Sequence, residues 1–220
     1  MYSLAFDTTA ASCSIALFDE SKKLASFVRE MDFGQAEVLI PEIQNILTAQ
    51  QLEVKDLGLL TVCVGPGSFT GVRSSISAAR AFGLACPEMT VAGVNAFEAY
   101  AYGLSWNPEE IAPLNAVIIE TKRDDFYYQL FDRHLNKITE PDAANIDEII
   151  PQLRDQKVTL IGDGVERFLA KPTGLSLHVI RMENHLDIEN LALCGLRKYQ
   201  RKVVDFPKPL YLRAPDVCIK

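Results

Sequence analysis

The chain predicts an α/β fold, and three observations carry that prediction. An N-terminal set of apolar, strand-like runs leads into a stretch with helical spacing. A second apolar run, Leu59 to Val64, ends in a glycine-rich turn that opens another amphipathic helix. After a proline-bearing break, the order of strands followed by a helix begins again.

Taken in order, Ser3 to Phe6, Ser14 to Phe18 and Leu24 to Arg29 read as strands, the first of them delivering Asp7 into a hydroxyl-rich turn that starts at Thr8 and Thr9. From about Gly34 to Gln50 a helix repeats Leu39, Ile43, Ile46 and Leu47 on one stripe. Pro41 lacks an N–H and crowds the carbonyl four residues back, so this helix is expected to start effectively near it. The next helix, about Thr70 to Ala85, shows Val72, Ile76, Ala79 and Gly83 at three- and four-residue steps among small residues, which permits close packing. Val91 to Val94 is a strand before a short helix ending near Tyr102. Gly103 to Pro113, holding Trp106, Pro108 and Pro113, is the expected break between an N-terminal lobe, 1–103, and a C-terminal lobe, 104–220. Beyond it, Ala116 to Glu120 and Phe126 to Phe131 fit a hairpin about Lys122 to Asp125. A helix from Ile146, a strand from Val158 to Ile161 and the turn Gly162-Asp163-Gly164 follow. A helix from about Ile188, expected to pack back on the N-terminal lobe, and a strand from Pro209 to Arg213 complete the reading.

The turn Gly65-Pro66-Gly67-Ser68-Phe69-Thr70-Gly71 carries the strongest chemical signal. Glycines let the backbone approach a ligand or a neighbouring chain, and the amides of a first helical turn favour an anion. It is not a Walker A loop, because no lysine follows Gly71, and it lacks the glycine spacing of a hydrolase elbow around Ser68. Asp7, Thr8 and Thr9 resemble the strand-end acid and hydroxyl turn by which actin-like ATPases orient metal and phosphates. Two readings stay open for both turns: a phosphate or nucleotide site made of Asp7, Thr8, Thr9, Gly65, Gly67, Ser68, Thr70 and Gly71, or an Asx turn beside a helix capped by Ser68 or Thr70.

Composition bounds the rest. At 220 residues and 48% hydrophobic the chain can bury a core. A net charge of −7 argues against gripping nucleic acid unaided, since phosphates are bound mainly by Lys and Arg. The basic group Arg197, Lys198, Arg201 and Lys202 falls near the end of the last helix, where pairing with the helix dipole accounts for it. Five scattered cysteines without CxxC spacing indicate neither zinc nor disulfides, which points to a reducing cytoplasm. No leader, and no apolar run of the roughly eighteen residues a span needs, is seen. The three histidines, His134, His178 and His185, show no HxxxH or HExxH spacing, so no metal site is expected.

AFDTTAASCSIALFD at the N-terminus, LLTVCVGPGSFTGVRSSISAARAFGLA and the closing PLYLR together resemble the TsaB (YeaZ) family, convincingly from Met1 to about Asn95 and again over Pro209 to Arg213. The resemblance implies a two-lobed actin-like ATPase (ASKHA, RNase H-like) fold with mixed sheets flanked by helices. It further implies a scaffold that dimerises alone, supports the transferase TsaD, works beside TsaE, and meets tRNA only through the complex that makes threonylcarbamoyladenosine. ATP belongs to that complex, with no cofactor and no catalytic residue expected in this chain. Where TsaD carries its metal-binding HxxxH, this chain has Ala96 and Tyr100 within Val94 to Tyr100, and neither replaces an imidazole. Where many members open the first long helix with a His-Ser-Glu-like start, this chain has Gln35-Ala36-Glu37, so a role for that histidine does not transfer. The family binds partners through N-terminal-lobe helices, which places Leu39, Ile43, Ile46, Leu47, Val72, Arg73, Ile76 and Arg80 as interface candidates; internal packing is the alternative for the apolar ones. A kinase or phosphohydrolase using Asp7 and Asp163 with magnesium is the rival activity, and a peptidase lacks any recognisable triad.

Overall fold

A computed structural model of the chain describes residues 1–213, which divide into two units. The first comprises residues 1–99 and 187–210, the second residues 100–186 with the described residues from Tyr211 on. The division falls at Ala99/Tyr100, inside a helix and not after Gly103, and the last helix belongs to the first unit.

The first unit is a five-stranded sheet in the order β3-β2-β1-β4-β5, built from β1 (Tyr2–Asp7), β2 (Ser12–Asp19), β3 (Lys22–Glu30), β4 (Leu57–Cys63) and β5 (Thr90–Val94). β1, β2 and β3 are antiparallel neighbours, while β4 and β5 run parallel to β1. β2 is buried along nearly its whole length because both faces of the sheet are covered, whereas β3 lies at an edge, with charged ends exposed and Leu24, Ala25 and Phe27 half-buried. One face takes α1 (Gln35–Ala49) and α2 (Phe69–Ala85) over Leu4, Phe6, Ile15, Leu17, Leu60 and Val62. The other takes α6 (Ile188–Gln200). There the strands offer small residues, and α6 sits so close that a Cβ on Gly195 would overlap the Thr61 side chain.

α1 corrects the expectation about Pro41. The helix begins at Gln35, with the Val38 N–H donating to the Gly34 carbonyl, and runs through the proline. Pro41 is exposed and removes only its own ladder bond, a loss the buried stripe of Leu39, Ile43, Ile46 and Leu47 outweighs.

The second unit repeats the plan. β6 (Leu114–Glu120), β7 (Asp125–Asp132), β8 (Asp142–Asn145), β9 (Lys157–Gly162) and β10 (Ser176–Met182) form a sheet in the order β10-β9-β6-β7-β8 with the same parallel and antiparallel pairings. α4 (Ile146–Leu153), started by a reciprocal Asn145–Glu148 capping box, and α5 (Val165–Leu169) cover one face. α3 (Ala96–Leu104) lies in the chain between the two sheets. No strand forms over the described residues Pro209 to Arg213. Pro207 and Pro209 lack the N–H groups a ladder needs, and the segment is held by the Leu210 N–H to the Val64 carbonyl at 2.8 Å.

Candidate functional site

β1, the turn after it and the turn opening α2 bring all eight residues of the expected phosphate site together. Asp7, Thr8, Thr9, Gly67, Ser68 and Gly71 engage one another, while Gly65 packs on Leu210 and Val72, and Ser68 and Thr70 stay exposed. Asp7, Thr8 and Thr9 are 1%, 0% and 4% exposed. The Asp7 carboxylate accepts the Thr9 N–H at 2.7 Å, an Asx-type closure of the turn. The Thr8 N–H donates to Ser75 Oγ at 3.1 Å, and the Thr8 hydroxyl donates to the Gly71 carbonyl at 2.8 Å. With its proton used there, Thr8 Oγ1 receives the Ser75 hydroxyl at 2.7 Å. The Ser68 N–H donates to the Thr9 carbonyl at 2.7 Å, and Ser68 Oγ caps α2 by accepting the Gly71 N–H at 3.3 Å.

The glycines are explained by the same packing. A Cβ on Gly67 or Gly71 would run into the Thr9 or Thr8 carbonyl oxygen, and Gly65 holds a φ of +99° that side chains rarely adopt. The close approach they permit is to the chain's own hairpin. Thr70 is exposed at the start of the helix. Behind the turn the Cys63 thiol accepts from Thr9 Oγ1 at 3.5 Å, and burial together with the Asp7 charge pushes it well above the usual thiol range. Burial, with Asp7 adding to it, also raises Cys13 to about 11, so both thiols are protonated and inert.

The second acidic turn belongs to the second unit and is likewise satisfied there. Asp163 accepts the Glu120 N–H at 3.0 Å, and Cβ atoms on Gly162 and Gly164 would meet the backbone of Ile118 and Ile119. Glu120 is held by Arg167 through two bonds of 2.6 and 2.8 Å, and Arg167 lies over the Phe126 ring at 3.8 Å. At the start of α3, Asn95 and Glu98 cap each other at 2.9 and 3.4 Å. Ala96 and Tyr100, in the positions compared with the metal motif, are buried at 4% and 3%.

The interface candidates separate into two groups, and for the apolar ones the alternative of internal packing is what the first unit shows. Leu39, Ile43, Ile46, Leu47, Val72 and Ile76 are core residues of the first unit, taken up by the sheet beneath α1 and α2. Arg80 is exposed, but its guanidinium donates to the Pro207 carbonyl at 2.8 Å and covers the Phe206 ring, so it straps the chain's own 206–207 segment to α2. Arg73 is exposed and lies 3.7 Å from the Phe69 ring centroid, one turn away. With Ser77, Ala81 and Leu84, which is 83% exposed, Phe69 and Arg73 form a continuous outward stripe on α2. Its signal in the sequence is the set of positions offset from the buried stripe, Phe69, Arg73, Ser77 and Ala81, at four-residue steps.

Two sheets of this shared order, each with helices between its third and fourth and its fourth and fifth strands, define a protein of the actin-like ATPase fold. Component A of the Acidaminococcus fermentans (R)-2-hydroxyglutaryl-CoA dehydratase is similar in fold, with a TM-score of 0.51 at 10% identity over 91% of this chain and 98% of that one. A Pseudomonas aeruginosa protein described as similar to the peptidase YeaZ superposes with a TM-score of 0.81 at 20% identity, covering 96% of this chain and 99% of its own. Residues 34–213 match the family model described as TsaD, tRNA N6-adenosine threonylcarbamoyltransferase. The chain is 29% identical to the Escherichia coli K12 tRNA threonylcarbamoyladenosine biosynthesis protein TsaB over 96% of its length and 94% of that protein's. It belongs to this threonylcarbamoyltransferase family, in its TsaB (YeaZ) branch. Among the described residues no helix is long and apolar enough to cross a membrane.

Proposed function

We propose that this chain serves tRNA threonylcarbamoyladenosine biosynthesis as an accessory, non-catalytic subunit that supports a TsaD-type transferase by presenting the outer face of α2. The observation that supports the reading is the buried turn: Asp7 and Thr8, the acid and hydroxyl that would face phosphate in an ATP-using protein, are bonded to Thr9, Gly71 and Ser75 of the same chain. A buried polar cluster whose donors and acceptors are mutually satisfied gains nothing by opening to a ligand. ATP used in the assembly is then handled by another subunit such as TsaE, and tRNA is met in the assembled complex. Without its partner, the same exposed stripe suits pairing with a second copy. An aromatic–arginine pair beside small residues and an exposed leucine has the composition of a protein interface.

Co-purification with TsaD tests it. Arg73→Glu and Leu84→Glu are expected to weaken association roughly tenfold or more while leaving the melting temperature within a few degrees of wild type. Ile76→Glu is expected to unfold the first unit instead, because that side chain is 4% exposed. Association that survives both surface changes would move the interface elsewhere. Calorimetry showing ATP binding by the isolated chain, lost in Asp7→Ala, would restore the kinase or phosphohydrolase reading.

A further inference from the structure

The end of α6 concentrates cations in an otherwise acidic chain. Residues 197–208 hold five, Arg197, Lys198, Arg201, Lys202 and Lys208, against one carboxylate, Asp205, where the whole chain has a net charge of −7. Cations at a helix C-terminus commonly cap the last carbonyls. Here backbone amides do that: the Arg201 N–H donates to the Arg197 carbonyl at 3.1 Å, Lys202 to Tyr199 at 3.0 Å and Val203 to Lys198 at 3.0 Å. Lys198 turns inward, 15% exposed, to Glu98 at 3.2 Å and Asp205 at 2.9 Å. Arg197, Arg201, Lys202 and Lys208 are exposed.

Lys202 makes the point sharper. Its φ of +58° is the left-handed turn that glycine ordinarily supplies after a helix, and a side chain there is strained. The position therefore carries an exposed charge where glycine would relieve the backbone.

We propose that this end of α6 contacts the phosphate backbone of RNA, the tRNA of the modification assembly. The inference rests on the function proposed above. Arg197 and the capping Arg201 are one helical turn apart, about 6 Å between side-chain roots, and their guanidinium forks at a helix end suit phosphate contacts that position a strand without reading bases. α6 covers the opposite face of the sheet from α1 and α2, which sets Arg197, Arg201 and Lys202 apart from the outer face of α2, whereas Lys208 follows the segment that Arg80 holds to α2.

The test uses the complex with the transferase, an unmodified tRNA, and affinities measured by fluorescence anisotropy across salt concentrations. Replacing Arg197, Arg201 and Lys202 together by glutamine is expected to weaken binding about tenfold and to reduce the log–log salt slope by about two to three. Lys202→Gly alone is expected to raise the melting temperature while lowering affinity, opposite signs that a purely structural lysine would not give. Unchanged affinity and slope in the triple variant, with the complex intact, would overturn the proposal, as would binding of the wild-type chain to phosphatidylglycerol vesicles but not to tRNA. Failure of the wild-type chain to assemble with the transferase would sink the functional reading instead, and the same titration on the isolated chain would then decide the patch.

Discussion

The two units share one strand order and one device, yet they use it differently. In each, a glycine turn after the fourth strand of the sheet backs onto the end of the first: Gly71 on Thr8 in the first unit, Gly162 and Gly164 on Ile118 and Ile119 in the second. In the second unit Asp163, within the glycine turn, accepts the Glu120 N–H; in the first the aspartate lies on the strand-end side, where Asp7 accepts the Thr9 N–H, and the glycine turn is tied down by the Ser68 N–H to the Thr9 carbonyl. The helices that follow the third and fourth strands differ. α1 and α2 span 15 and 17 residues, α4 and α5 only 8 and 5. α5 buries Val165 and Phe168 and exposes only Glu166 fully, whereas α2 buries one stripe and presents a second over four turns. The common plan supplies stability to both units, and the added helix length in the first supplies a surface.

The largest effect expected from breaking this comparison is at the glycines. Gly71→Ala and Gly162→Ala each drive a methyl into a backbone carbonyl that cannot move without shifting a strand, and Gly162 also has a φ of +130°. Each is expected to cost about 3 kcal/mol in urea unfolding, against about 1 kcal/mol for the cap loss in Ser68→Ala. A Gly71→Ala chain as stable as wild type would mean that the turn is open, and the argument against a nucleotide site would fall with it.

A smaller effect separates the units. Arg167→Met removes the paired bonds to Glu120 and the bond to the Asp125 carbonyl at 2.8 Å, while keeping much of the cover over Phe126. Because Arg167 is 38% exposed, water screens the pair and about 1 kcal/mol is expected. Hydrogen exchange followed by mass spectrometry should show β6 and β7 peptides exchanging faster and those of β4 and α2 unchanged. Equal acceleration in both would show the two units unfolding as one.

Much of the fold was legible because its strands are apolar runs and its long helices carry stripes, as in Ser14 to Phe18 and Leu39 to Leu47. β8, β10 and α5 went unread. Asp142–Asn145 has no apolar alternation, Ser176–Met182 is an edge strand broken by a register shift near His178, and five residues of helix are too few to show a period. The site was legible as a location only. Glycine in Gly67 and Gly71 announces a close approach, but the sequence does not say to what, and the partner turned out to be Thr8 and Thr9. The interface residues show the converse limit. A helical stripe marks the face that meets something apolar, and for Leu39, Ile43, Val72 and Ile76 that something is the chain's own sheet, which left the outward neighbours of Arg73, namely Phe69, Ser77 and Leu84, unremarked.

The gentlest perturbation is pH, and it should act on the two units from opposite ends of the scale. Burial alone would raise Glu120, but hydrogen bonds from Arg167 and from the Lys122 N–H outweigh it and hold the carboxyl below the ordinary glutamate range. Its contribution is therefore complete above about pH 4.3 and is lost as pH falls through the lower folded value. Burial alone would lower Lys198, but the hydrogen bond to Asp205 and the charge of Glu98 hold it above the ordinary lysine range. That contribution is complete below about pH 10.4 and is lost as pH rises through the higher folded value. Thermal melts of wild type against Glu120→Gln should converge in acid, and those against Lys198→Met should converge in alkali. Convergence of Glu120→Gln with wild type at neutral pH would show that the charged bond to Arg167 contributes nothing to the second unit. The turn after β9 would then rest on its glycines and Asp163 alone.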